Sequence, residues 1–190
     1  MRTPDAATLE HLITDAMQAD DWATINDLEP RLDAVTPPKR PPPLVSAALY
    51  YAEQGLHVFP LQPRRKIPHK GSRGCKDASI DSDEIINWWL VEPNSNIGIA
   101  TGHLIDVIDI DGPEGVHSWA QMEGLPEILG TVSTPRPGGN HLYIATTGDP
   151  NGARLFPGVD YRGLGGYVVA PPSINENGVR YTWRQPLELP

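Results

Sequence analysis

The sequence predicts an α+β domain with mainly antiparallel strands, preceded by a short helical segment. Three observations predict it. In the first half, apolar residues recur at helical spacing. After Pro126 the chain breaks into short apolar runs of strand length, separated by Gly, Pro and Asn. The two patterns follow one another rather than alternate, which disfavours a parallel βαβ sheet. The 21 prolines cluster at 37–43 and otherwise fall at segment ends, as expected for short elements joined by fixed turns. No internal repeat is present.

The first block, residues 1–36, is acidic, with eight Asp/Glu against two Arg. Leu9, Leu12, Ile13, Ala16 and Met17 mark one helix. Asp20 or Asp21 can cap a second, carrying Trp22, Ile25, Leu28 and Leu32. The Pro-rich stretch 37–43 reads as a stiff extended linker, with a domain boundary there. The main domain, 44–190, opens on a helix from Leu44 to Gln54, stopped by Gly55, and a strand from Leu56 to Leu61. A polar loop over 62–76 holds six cations and no acid. Asp81 or Ser82 can cap a helix through Ile85, Ile86, Trp88 and Trp89. Asn96–Thr101 and Leu104–Asp111 read as a hairpin around Gly102-His103. Pro113 starts a helix through Val116, Trp119 and Ala120. Strands are expected over 131–134, 141–145, 159–162, 167–170 and 179–183, with a turn at Asn175–Gly178 before the last.

At 190 residues the chain accommodates one domain with a core plus a small appendage. The net charge of -9 and pI of about 5.0 argue against a generally basic surface, so any anionic ligand must meet positive charge concentrated locally. Cys75 is the single cysteine, which excludes an internal disulfide and a cysteine-cluster zinc site and fits a reducing cytoplasm. No apolar run is long enough to cross a bilayer, and no membrane association is expected.

Chemistry concentrates in three segments. In Leu104-Ile105-Asp106-Val107-Ile108-Asp109-Ile110-Asp111-Gly112, strand alternation puts Asp109 and Asp111 on one face, beyond Ile105 and Val107. Two carboxylates so placed repel unless a cation stands between them, and hard divalent ions prefer oxygen ligands. The alternative is that one caps the next helix and the other is solvated. Asp106 faces the other way and is expected to be a solvated strand-start residue. In Thr134-Pro135-Arg136-Pro137-Gly138-Gly139-Asn140-His141, the glycines allow backbone N–H groups close to an anion, Arg136 can grip phosphate, and His141 can face the same cleft. An ordinary turn with a surface histidine is the competing reading. Asp160, in Val159-Asp160-Tyr161-Arg162, needs a partner among its apolar neighbours, either Arg162 or a metal.

The order of these segments resembles the primase-polymerase domain of the archaeo-eukaryotic primase superfamily, in the bifunctional form of phage and plasmid replication proteins. The resemblance covers roughly residues 44–184. An Asp-x-Asp motif after an apolar strand matches Asp109 and Asp111; a histidine after a Gly-rich turn matches His141; an Asp after an apolar residue matches Val159-Asp160. Gly74–Ser79, Trp88-Trp89, Asn96–Gly102, Gly165–Ser173 and Tyr181-Thr182-Trp183 are also similar. Many relatives carry Ser two residues before the motif histidine, where this chain has Gly139.

The resemblance implies an RRM-like antiparallel sheet with a smaller α/β unit. It implies template-directed nucleotidyl transfer on DNA, with Asp109, Asp111 and Asp160 as catalytic residues holding two divalent ions, Mg²⁺ or Mn²⁺. His141 would bind the incoming dNTP or NTP, Arg136 and Arg162 would neutralise phosphate, and Gly138 and Gly139 would line that site. Lys66 and Lys76 are candidates for phosphate or template contacts, against the reading of a solvated basic loop. Trp88 and Trp89 can stack on bases, but neighbours on a helix cannot both face one way, so one or both are expected in the core or at an interface. Template and primer DNA would be the partners, with a C-terminal helicase domain in relatives. A non-catalytic nucleotide- or DNA-binding module supporting a helicase, and a metal-dependent nucleotide-sugar glycosyltransferase, are the competing readings.

Overall fold

The computed structural model describes residues 43–189 together with positions 8, 9, 11, 12, 14, 15, 24 and 28. Those eight positions are helical, and Leu9 and Leu28 among them are buried. The rest of the expected helical pair and most of the Pro-rich stretch lie outside the described residues. The chain divides into two compact units, Met1–Pro41 and Pro42–Pro190.

Helix α1 (Leu44–Glu53) opens the second unit and buries Ala48, Tyr51 and Ala52, an i, i+3, i+4 stripe. Gly55, at φ 83°, turns the chain out of it. Strand β1 (Val58–Leu61) follows, then the basic loop, which ends in an unexpected 3₁₀ turn at Gly74–Asp77. Helix α2 (Ser82–Val91) starts where the Asp81 carboxylate accepts the Glu84 N–H at 2.9 Å, and it buries Ile85 and Trp89. Strand β2 (Asn96–Ala100) is buried at every residue, because it lies between β1 and β8 (Tyr167–Ala170) in an antiparallel three-stranded sheet. Gly98 in β2 is required by Phe59 opposite it: a β-carbon there would stand 2.6 Å from the Phe59 ring.

The larger sheet has six strands: β3 (Ile105–Ile110), β4 (Gly130–Ser133), β5 (Asn140–Ala145), β6 (Gly152–Phe156), β7 (Val159–Arg162) and β9 (Thr182–Gln185). Their spatial order is β6-β7-β3-β5-β4-β9, and every pairing is antiparallel. Helix α3 (Gly112–Ala120) follows β3 directly, with Pro113 in its first turn. One core holds Ile105, Val107, Val132 and Tyr143 of this sheet with β1, β2, β8, α1 and α2. A second, on the opposite face, holds Ile108, Ile110, Leu142, Ile144, Val159 and Tyr161, with Trp119 of α3 packed on it. Tyr51 ties the parts together, donating to the Pro171 carbonyl at 2.7 Å and accepting from Trp183 Nε1 at 2.9 Å.

The fold class is the expected one: α+β, with antiparallel sheets. Three local expectations are corrected. Residues 96–111 do not form a hairpin: β2 and β3 belong to different sheets, and the chain changes sheet at Gly102, whose φ is 84° and whose Cα lies against Leu164. Strand β6 was not expected. The last strand begins at Thr182 rather than Val179, because Asn175 accepts and donates across the turn to Val179 and keeps that segment in the turn.

Candidate active site

The alternation of β3 decides where the carboxylates go. Ile105 and Val107 enter the first core, and Asp109 follows them on the same face at the strand end. Registry then builds a row across three strands. Asp109 is directly opposite Asp160 on β7 and directly opposite His141 on β5. Such partners share a face, with β-carbons about 4.5–5.5 Å apart. Asp111 lies just past β3, at the start of α3, with no side-chain cap bond.

Guanidinium groups stand among these carboxylates. A single nitrogen of Arg162 donates to Asp109 Oδ2 at 3.0 Å and to Asp160 Oδ2 at 2.9 Å. Arg136 reaches Asp111 Oδ1 at 2.7 Å. His141 Nε2 is 3.6 Å from Asp109 Oδ1. Burial pushes the His141 pKa down to about 4, against the pull of Asp109, so the imidazole is neutral at physiological pH. Its Nδ1 and the Tyr181 hydroxyl are buried without a hydrogen-bond partner.

A cleft of about 280 Å³ opens on Asp109, Asp111 and His141, lined also by Lys66, Arg162, Gly165, Gly166, Tyr167 and Tyr181; Asp160 and Arg136 are not in its lining. The Tyr167 hydroxyl donates to the Lys66 carbonyl at 2.9 Å, which holds the loop at the cleft. Among the described residues, no group of three or more His, Cys, Asp or Glu is arranged to hold a metal ion. The donor chemistry suits a hard divalent cation, since the row supplies carboxylate oxygens from neighbouring strands. Arg162 occupies the position between two of those carboxylates.

The remaining candidates are distributed unevenly. Gly138 takes a left-handed φ of 75° and packs against Gly112 and Pro113. The Gly139 N–H is spent closing its own turn on the Arg136 carbonyl at 2.8 Å, so it is not free for an anion. Lys76 is not at the carboxylates; it lines a separate cleft of about 600 Å³ with Phe59, Arg73 and Trp88. Trp89 is core, with its Nε1 donating to the Ser95 carbonyl.

Asp106 is corrected outright. It is fully buried and accepts from Tyr161 OH at 2.6 Å, the Thr147 N–H at 2.7 Å and Thr146 Oγ1 at 3.3 Å. Its outward-facing position meets the second core and the β5–β6 connection rather than water. Sequence reasoning also missed Tyr167 and Tyr181 at the cleft and Thr134 beneath Gly139. Tyr181 opens a segment already singled out, but only the course of the chain after Asn175–Gly178 brings its ring to 5.8 Å from that of His141.

In comparison with known proteins, a family model described as bifunctional DNA primase/polymerase, N-terminal, matches residues 48–190. No curated protein matches the chain.

Proposed function

Because the chain belongs to the family described as bifunctional DNA primase/polymerase, N-terminal, we propose that it joins nucleotides on a DNA template at the cleft over Asp109 and Asp111, beside Asp160. Family membership carries the coarse reading, a primase/polymerase-type domain with DNA and nucleotides as substrates. The observation that supports this cleft is the registered row Asp160–Asp109–His141 across β7, β3 and β5, with Asp111 beside it.

The reaction breaks the bond between α- and β-phosphate as the primer 3′-hydroxyl attacks the α-phosphorus; pyrophosphate leaves. Asp109, Asp111 and Asp160 would hold divalent cations, Mg²⁺ or Mn²⁺, which when bound would supply Lewis-acid assistance to the attacking hydroxyl and the phosphate. His141, neutral in its buried position, offers the incoming nucleotide a hydrogen bond without adding charge. Arg136, Arg162 and Lys66 supply the positive charge that a triphosphate needs in an otherwise acidic protein. The setting that fits is replication of phage or plasmid type.

Pyrophosphate release measured with Mn²⁺, dNTPs and a primed template tests the reading, and omission of the primer separates initiation from extension. Asp109→Ala is expected to abolish release while the variant still melts cooperatively. Activity near that of the unsubstituted chain would overturn the site.

A further inference from the structure

We propose that Arg162, assisted by Arg136, is an internal counterion that changes partners: it neutralises the carboxylates of the empty site and moves to the nucleotide phosphates when divalent cations take those carboxylates. Cation and nucleotide then bind with positive coupling. The inference rests on the function proposed above and names how that site is regulated.

Asp109 and Asp160 are opposed across one strand pair, and their side chains are only 16 % and 23 % exposed. Two like charges this close and this sheltered are costly unless neutralised. One Arg162 nitrogen serves both, at 3.0 and 2.9 Å. That guanidinium is itself 28 % exposed, so it is partly withdrawn from water. Arg136 does the same for Asp111 at 2.7 Å but is 60 % exposed, so solvent and salt weaken its share. Of these two guanidiniums, Arg162 therefore contributes the larger share.

A cation entering between Asp109 and Asp160 competes with Arg162 for the Oδ2 atoms it already holds, which lowers cation affinity in the absence of nucleotide. The displaced guanidinium remains in the cleft and needs another anion. It has donors left over and a planar fork that matches a phosphate. A bound triphosphate supplies that anion, and so reduces what the cation must overcome. By thermodynamic linkage the coupling is reciprocal: each ligand tightens the other by the same factor.

The test is Mn²⁺ binding to the full chain, read from the electron paramagnetic resonance signal of free Mn²⁺, with and without a non-hydrolysable dNTP analogue. Without analogue, Arg162→Gln is expected to bind Mn²⁺ at least about fivefold more tightly than the unsubstituted chain. Lys66→Gln removes a cation lining the same cleft, and is expected to shift Mn²⁺ binding much less. With analogue, the unsubstituted chain gains Mn²⁺ affinity and Arg162→Gln gains little. Should Arg162→Gln fold poorly, Arg162→Lys keeps the charge without the shared guanidinium and is expected to fall between the two. Equal or weaker Mn²⁺ binding by the Arg162 variants, an undiminished gain from the analogue, or an equal effect of Lys66→Gln would each overturn the proposal. If the unsubstituted chain bound no Mn²⁺ at all, the proposed metal site itself would fall; Mn²⁺ binding indifferent to Arg162 would sink the exchange alone.

Discussion

At residue 139 a β-carbon would run into the Thr134 hydroxyl and crowd the Arg136 carbonyl at 3.1 Å. Thr134 places its own hydroxyl in the space that a side chain at 139 would claim. The two positions should therefore be coupled. Gly139→Ser alone is expected to cost about 1–3 kcal/mol through overpacking, which lowers Tm by roughly 2–4 °C per kcal/mol for a chain of this size. Thr134→Ala with Gly139→Ser should recover most of that loss and retain nucleotide addition. Thermal melts of both single variants and the double variant measure the coupling. Additive losses would show that the hydroxyls do not compete.

The carboxylate row depends on how β3 pairs with β7, and Asp106 fastens that pairing from the opposite face. Tyr161 on β7 donates to Asp106 on β3, and the Thr147 N–H joins them from the segment after β5. Burial, then Asp106, pushes the Tyr161 pKa up to about 12, so the phenol stays a donor throughout the working pH range. Tyr161→Phe removes a hydrogen bond to a charged, buried group, a loss of about 1.5–3 kcal/mol. A Tm unchanged from the parent chain would show that the clamp contributes nothing. Much at this scale was legible. The alternating Ile105–Asp111 run placed β3 and its two inward carboxylates, and Asp81 placed the start of α2. Asp106 was misread because alternation reports which face a residue takes, not what covers that face; here α3 and a second core cover it. Strand β6 escaped because it is an edge strand whose Leu155 and Phe156 remain about half exposed, which leaves no alternation to read. The Gly102-His103 hairpin failed for the opposite reason: the local turn is present, with Gly102 N–H bonded to the Ile105 carbonyl, but long-range pairing sends the two strands to different sheets.

For the whole molecule, the net charge of -9 and the six cations of the 62–76 loop were visible in the sequence, but not their division. Lys66 points to the carboxylate cleft, Lys76 to another, and Arg73 is taken by Asp77 at 2.7 Å. The acidic first unit has little to offer DNA, and the family match begins only at residue 48. Removal of residues 1–36 is therefore expected to leave metal-dependent nucleotide addition largely intact. Thermal melting and primer extension of 37–190 beside the full chain decide it; a folded but inactive 37–190 would place the first unit in the active protein. The strand order has a consequence for synthesis. The three-stranded sheet waits for β8 and the six-stranded sheet for β9, while β1 and β2 emerge long before either. Neither sheet is complete before those strands have been made. Until those strands are made, β2 and β4 each present an unpaired edge, and such long-range closure makes for slow folding and a need for protection on the way.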